Sequence, residues 1–387
     1  MRNLLNRSCV AFFFFLACIH FAIAQEPTPS SLDHMIGQMI MIGVGDFNEA
    51  DVGEPIFADI AAGKAGGVVL YEKNIRKRKS KKALADLVGA LQSQAMVPLF
   101  VSIDEEGGWV TRLKSKYGFP ENVSAQYLGD LDELDSTRFY ALQTAQLLDS
   151  LGINMNYAPV VDINSNPANP VVGKIERSFS ADPAKVIAHA EVVVESHQKM
   201  KIASVLKHFP GHGSSTTDTH LGLTDVTETW QLDELYPYVA LIDSGKVDAI
   251  MTAHIVNKFL DQHERPATLS YTVIGTLLRD YLKYQGVVIS DDMQMGAIDN
   301  EYGLREAIRL SVLAGVDILM FANNVSDENL ISASKVHDIL KALVADGSIE
   351  YDRIVLSYNR ISELKKKLGL LDEEYSEMLK QKLSVFE

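Results

Sequence analysis

From Met35 onward the chain repeats one pattern: a short apolar run, a polar loop, then a stretch with apolar positions at helical spacing. The runs are Gly37–Val44, Gly67–Tyr71, Pro98–Ile103, Asn154–Val161, Ala203–His208, Ala249–His254, Gly286–Ser290 and Asp317–Phe321. Most are apolar without alternation, as parallel strands covered on both faces must be. Between them the helical signals are clear. Asp182 supplies an N-cap and Pro183 a first-turn proline for a helix reaching about His197. Leu142, Ala145 and Leu148 share a helical face that ends at Gly152. Leu277, Leu278, Tyr281 and Leu282 mark another helix before Gly286. Strands alternating with helices over about 330 residues predict an α/β fold, a (β/α)8 barrel of TIM type forming a single catalytic domain. Its expected span is 35–372, after a short linker at 25–34 and before a charged helix or tail at 373–387. A doubly wound open sheet is the alternative, but no Gly-x-Gly-x-x-Gly follows the first strand.

Residues 1–24 read differently. Arg2 and Arg7 precede an apolar stretch, and Ala22-Ile-Ala24 is a small-x-small cleavage site. This predicts a secretory signal peptide and an exported protein, periplasmic or secreted. The alternative is a lipoprotein leader ending at Cys18. Both cysteines, Cys9 and Cys18, fall in this segment, so cleavage after Ala24 leaves no thiol for a disulfide, a nucleophile or zinc. Loss of Arg2 and Arg7 takes the net charge from −15 to −17. Such an acidic product is not built for nucleic acid or anionic membranes, and no membrane association is expected beyond a lipid anchor. The basic run Arg76-Lys-Arg-Lys79, with Lys81 and Lys82, reads as a solvated helix start. A monomer is expected.

A TIM barrel carries its active site at the C-terminal ends of its strands. Those ends read Tyr71-Glu72, Asp104-Glu105-Glu106, Asp162 with Asn164, Lys207-His208, His254, Ser290-Asp291-Asp292 and Asn323. Charged groups near a barrel axis are costly to bury, so their recurrence after apolar runs is informative. The densest stretch is 206–223, where Lys207, His208, His212, Asp218 and His220 are punctuated by Pro210, Gly211 and Gly213.

Carboxylates with cationic and imidazole partners, and no phosphate loop, point to a polar neutral substrate such as a sugar. Glycoside hydrolysis needs one group to attack or stabilise the anomeric carbon and one to protonate the leaving oxygen. Asp291, emerging from an apolar strand, suits the first role, with Lys207 as a cation that would keep it ionised. His220 suits the second, with Asp218 placed to fix its tautomer. His208, His212, His220 and His254 raise the question of zinc, but Pro210-Gly211 breaks any helix that would align the first two. No metal and no cofactor are expected. Taken singly, Asp292 reads as a helix cap, Glu105 and Glu106 as turn-holding carboxylates, and His212 and His254 as structural hydrogen-bonders.

Lys207-His-Phe-Pro-Gly-His-Gly213, followed by Asp218-Thr-His220, resembles the signature of the β-N-acetylglucosaminidase branch of family 3 glycoside hydrolases. The similarity extends to Asp104-Glu-Glu-Gly-Gly108 with Arg112, Tyr157-Ala-Pro-Val-Val-Asp162-Ile-Asn-Ser-Asn166, Arg177-Ser-Phe179, Met251-Thr-Ala-His254, Arg265-Pro-Ala-Thr-Leu-Ser270 and Ser290-Asp-Asp-Met293. The resemblance implies Asp291 as nucleophile and His220 as acid/base oriented by Asp218. It implies that Asp104, Arg112, Arg177, Lys207 and His208 bind the sugar at the non-reducing end. The expected activity is that of an exported, retaining exo-β-N-acetylglucosaminidase acting on cell-wall or chitin-type oligosaccharides. Glucosidase and xylosidase branches lack the Asp-Thr-His dyad and take a glutamate from a second domain. Trp109 departs from the family, which usually has arginine there, and no role is carried onto it. The rival readings are a phosphorylase on the same scaffold, a non-catalytic sugar-binding barrel and a metal-dependent barrel hydrolase.

Overall fold

A computed structural model describes residues 31–49, 53–219, 222–324 and 329–372. The leader expected at 1–24, with Cys18, the helix or tail expected at 373–387 and His220 lie outside the described residues.

The predicted barrel is observed. Its strands are β1 (Ile40–Gly43), β2 (Gly67–Leu70), β3 (Phe100–Ile103), β4 (Met155–Asn156), β5 (Ala203–Phe209), β6 (Ala249–Thr252), β7 (Val287–Ile289) and β8 (Leu319–Phe321). They pair in parallel in chain order, and β8 pairs with β1 through Ile40↔Leu319. A parallel bridge between Ile289 and Ile318 joins β7 to the start of β8 and completes the ring. Strand residues such as Ile40, Val68, Phe100, Val101, Leu206, Ile250 and Val288 are fully buried. Each such apolar side chain contributes roughly 1.5–3 kcal/mol relative to exposure. Helices cover the outside: α1 (Ser31–Gln38), α2 (Pro55–Ala61), α3 (Ser80–Gln94), α4 (Ala125–Leu131), α5 (Leu134–Ser150), α6 (Pro183–Lys199), α7 (Tyr236–Asp243), α8 (Gly296–Tyr302), α9 (Leu304–Ala314), α10 (Ala333–Ala345) and α11 (Tyr351–Lys367). Asp182 caps α6 as expected, accepting from the Ala184 amide.

The differences from expectation are local. The run Gly37–Val44 is not all strand, because Gly37 and Gln38 close helix α1. The fourth strand, expected over Asn154–Val161, keeps only Met155 and Asn156 in the ladder. Asn154 instead caps its neighbour, accepting from the Val101 amide and donating to the Leu99 carbonyl. Asp317 stands before β8 rather than in it. Its carboxylate is taken up by Arg279, Ser357 and the Val288 amide at 2.7, 2.7 and 3.0 Å. The helix before β7 is wound as a π-helix, Thr272–Tyr281. The basic run at 76–79 precedes α3, which opens only at Ser80.

The end of the barrel opposite the strand C-termini is tied by one lysine. Lys365 of α11 donates to Gln38 Oε1, Gly66 O and Pro98 O at 2.7, 3.0 and 2.6 Å, just before β1, β2 and β3. Its ammonium sits 4.8 Å from the centre of the Phe100 ring. Burial pushes Lys365 down to about 7. The fold therefore holds fewer protons here than the unfolded chain between pH 7 and the ordinary lysine range, so this group makes stability rise with pH across that window. Thermal midpoints measured from pH 7 to 10 should show this rise weakened in Lys365→Met; an identical slope in both proteins would refute the assignment.

Candidate active site

The strand ends deliver their side chains to one cavity of about 460 Å³. Asp104, Arg112, Arg177, Lys207, His208, Asp218 and Asp291 all line it. These are the residues expected from the sequence, save His220. Tyr71, Asp292 and Met295 line it as well.

At the centre is Lys207, on β5 and 1% exposed. Its ammonium lies 2.8 Å from Asp104 Oδ1 and 2.5 Å from Glu106 Oε1. Arg112 reaches the other Asp104 oxygen at 3.2 Å. Arg177 grips Glu106 through Nε and Nη2, both at 2.8 Å, the two-pronged geometry that suits a guanidinium. A third prong donates to the Val171 carbonyl at 2.8 Å. Burial alone would raise the Asp104 carboxyl, but Lys207 and Arg112 outweigh it and hold it well below the usual range. Burial works the same way on Glu106, and Arg177 with Lys207 again prevails. Asp104 is thus an anion presented to the cavity, with lone pairs left for incoming hydroxyl donors.

His208 is set by Asp162, which is wholly buried after β4. His208 Nδ1 is 2.7 Å from Asp162 Oδ2, and the backbone amides of His208 and His212 donate to Oδ1 at 3.1 and 2.8 Å. Nδ1 therefore carries the proton toward the carboxylate, leaving Nε2 to accept from Arg177 Nη2 at 3.2 Å. The imidazole is a positioned acceptor rather than a loose base. His212 does not reach the cavity. It is buried and meets Ser215 Oγ at 2.7 Å, and burial, with His208 beside it, pushes it down to about 4.

Asp291 and Asp292 follow β7. Asp291 Oδ1 accepts from the Asp292 amide at 2.8 Å. Asp292 turns its Oδ1 to the amides of Gln294 and Ala322 at 3.1 and 3.0 Å, bracing this loop against the one after β8. The cap expected of Asp292 is a brace instead, since α8 opens later, after Met295. His254 Nε2 donates to the Asp292 carbonyl at 2.9 Å, which ties the end of β6 to the same loop.

The stretch after β5 splits as its glycines suggest. Gly213 lies so close to the backbone that a Cβ there would meet the Ile163 carbonyl oxygen at 1.7 Å. Its amide donates to Glu234 Oε2 at 2.9 Å. Beyond this anchor the chain rises to Asp218 at the cavity wall.

Sequence reasoning missed three things here. Glu106 is the shared counterion of Lys207 and Arg177, not a turn-holder. Asp162 was seen at a strand end but given no task. Glu234 was not singled out. Glu105 does hold a turn, accepting from the amides of Arg112 and Leu113 at 2.8 and 3.0 Å and from the Thr111 hydroxyl.

A closed parallel barrel with a charged cavity at the C-terminal ends of its strands defines a TIM-barrel enzyme. The profile of the glycosyl hydrolase family 3 N-terminal domain matches residues 31–364. Beta-hexosaminidase A of Pseudoalteromonas piscicida is 32% identical over 395 residues, covering 92% of this chain and 64% of that protein's length. Beta-hexosaminidase LpqI of Mycobacterium tuberculosis is 31% identical over 338 residues, covering 85% of this chain and 81% of its own length. A glycoside hydrolase family 3 β-N-acetylglucosaminidase structure from Paenibacillus sp. str. FPU-7 superposes with a TM-score of 0.79 at 32% identity, over 91% of this chain and 68% of that one. The chain belongs to family 3 of the glycoside hydrolases.

Glu234 makes the anchor testable. Burial, with the negative charge of Asp162 nearby, raises it to about 7 against the pull of its hydrogen bonds. The fold favours the protonated form, so its contribution is whole below the ordinary glutamate range and is lost as pH rises toward 7. Glu234→Gln, which mimics the neutral acid, should therefore gain in thermal midpoint over the parent between pH 5 and 8. A constant difference across that range would contradict the shift.

Proposed function

We propose that the protein is a retaining exo-β-N-acetylglucosaminidase that removes terminal β-linked N-acetylglucosamine in two displacements. The reading is carried by one observation: Asp291, Asp218 and the five residues Asp104, Arg112, Arg177, Lys207 and His208 line the same cavity. The names of the relatives, beta-hexosaminidases and a β-N-acetylglucosaminidase, support it.

In this reading a terminal sugar enters the cavity, its hydroxyls donating to the Asp104 acceptors, and packs against His208, whose own acceptor Nε2 is held by Arg177. Arg112, Arg177 and Lys207 keep those acceptors charged or aimed, so the site is organised before substrate arrives. The Asp291 carboxylate attacks the anomeric carbon, and its oxygen forms the new bond as the bond to the leaving oxygen breaks. His220, steadied by Asp218, gives that oxygen a proton. Water, deprotonated by the same imidazole, then releases the sugar from Asp291 with its starting configuration restored. The loop from Gly213 to His220 brings the proton donor in when substrate binds. The leader features of residues 1–24 support an exported enzyme, and cell-wall or chitin-type oligosaccharides are the substrates we propose.

Asp291→Asn should cut release of phenol from an aryl β-N-acetylglucosaminide by roughly a thousandfold or more; near-normal turnover would remove the nucleophile assignment. His220→Ala should slow glycosides with poor leaving groups by about 10²–10⁴-fold and activated aryl glycosides far less. Equal slowing of both would count against a proton-donating role. Running the same assay with inorganic phosphate separates hydrolysis from phosphorolysis, since accumulation of sugar 1-phosphate in place of free sugar would contradict the hydrolase.

A further inference from the structure

Trp109 is 68% exposed at the tip of the loop after β3, and Tyr127, on α4, is 52% exposed. Both line a second concavity, an open groove of about 730 Å³. This groove shares a wall with the candidate active site. Val110 and Arg112 line the charged cavity, whereas Trp109, Thr111 and Leu113 line the groove. On the facing segment Ile175 and Arg177 line the cavity, and Glu176 lines the groove. Both segments divide their side chains between the cavity and the groove, the second around a left-handed residue, Glu176, at φ +58°. The groove thus begins where the cavity ends.

The wall is held rigidly. The Glu105 carboxylate accepts from the Arg112 and Leu113 amides at 2.8 and 3.0 Å. Gly107 has a φ of +97° and packs so tightly that a Cβ would meet the Val123 carbonyl oxygen at 2.2 Å. A large indole on a rigid support needs little ordering to bind a flat apolar surface. The groove's cations are already matched. Lys116 lies 2.6 Å from Glu72, and Lys114 pairs with the same carboxylate. With Glu121 and Glu176 also at its edge, the groove offers no free positive field to an anionic ligand. Its chemistry fits a neutral chain with apolar faces and polar rims.

We propose that this groove binds the reducing-end side of a neutral β-linked oligosaccharide, the sugars beyond the bond being cleaved, with Trp109 and Tyr127 stacking on their apolar faces. The inference rests on the glycosidase reading and adds to it a preference for longer substrates, set by residues outside the charged cavity.

Chitin-type oligomers of two to five N-acetylglucosamine units and an aryl β-N-acetylglucosaminide serve as probes. Trp109→Ala should lower kcat/KM on the tetramer, relative to that on the aryl glycoside, by about tenfold, chiefly through KM. Trp109→Phe should restore most of the loss, and Tyr127→Ala should reproduce part of it. Equal changes on both substrates would overturn the proposal. Binding is read separately, since the chain has two tryptophans. In Asp291→Asn, titration with the tetramer should change tryptophan emission, and the change should vanish when Trp109→Phe is added. An unchanged emission would sink the groove proposal alone, whereas rapid turnover by Asp291→Asn would sink the nucleophile assignment alone.

Discussion

Everything at this site depends on the burial of one ammonium, that of Lys207, between two carboxylates. A lysine taken out of water is costly unless its charge is met and its donors are used, and removing one partner from such a group costs on the order of 3–5 kcal/mol. Asp104 and Glu106 meet the charge at 2.8 and 2.5 Å. Each carboxylate also meets a second cation, Arg112 at Asp104 and Arg177 at Glu106. Arg177 in turn fixes His208, and Asp162 fixes it from the other side. The residues we assign to sugar binding therefore form one ionic lattice, held in place before any substrate is bound.

The barrel makes that lattice affordable because parallel strands end together. Asp104 follows β3, Asp162 follows β4 and Lys207 is in β5, so three neighbouring strands deliver three charges to one spot. The opposite end shows the same principle without the anions. Lys365 is satisfied there by a side-chain amide and two carbonyls, and burial lowers its pKa instead. One buried lysine is paired and the other is pushed toward neutrality, which are the two ways a fold can tolerate such a group.

Much of this was legible in the sequence. Uninterrupted apolar runs such as Val68-Val-Leu70 and Val287-Val-Ile289 read as covered parallel strands, and their alternation with helices predicted the barrel over an open sheet. Because a barrel's chemistry sits where strands end, Asp104, Lys207 and Asp291 followed from position. The unread part concerns partners. Glu106 meets Arg177 across 71 residues, and His208 meets Asp162 across 46. No local spacing encodes such contacts; they exist only because two strand ends become neighbours. Two adjacent glutamates with the same apparent task, Glu105 and Glu106, turn out to face opposite ways, one toward backbone amides and one toward cations. The shortened fourth strand and the π-helix before β7 were hidden for a related reason. Side-chain capping by Asn154 and local winding depend on the packed neighbours, not on the apolar pattern.

The central claim is that Asp291 becomes covalently joined to the sugar. Incubation with a fluorinated N-acetylglucosaminyl donor, built to form the intermediate quickly and lose it slowly, followed by proteolysis and mass spectrometry, tests this most directly. We expect one sugar-mass adduct, located on Asp291 in the peptide after β7. An adduct on another carboxylate, or stoichiometric turnover with inversion and no adduct, would contradict the account.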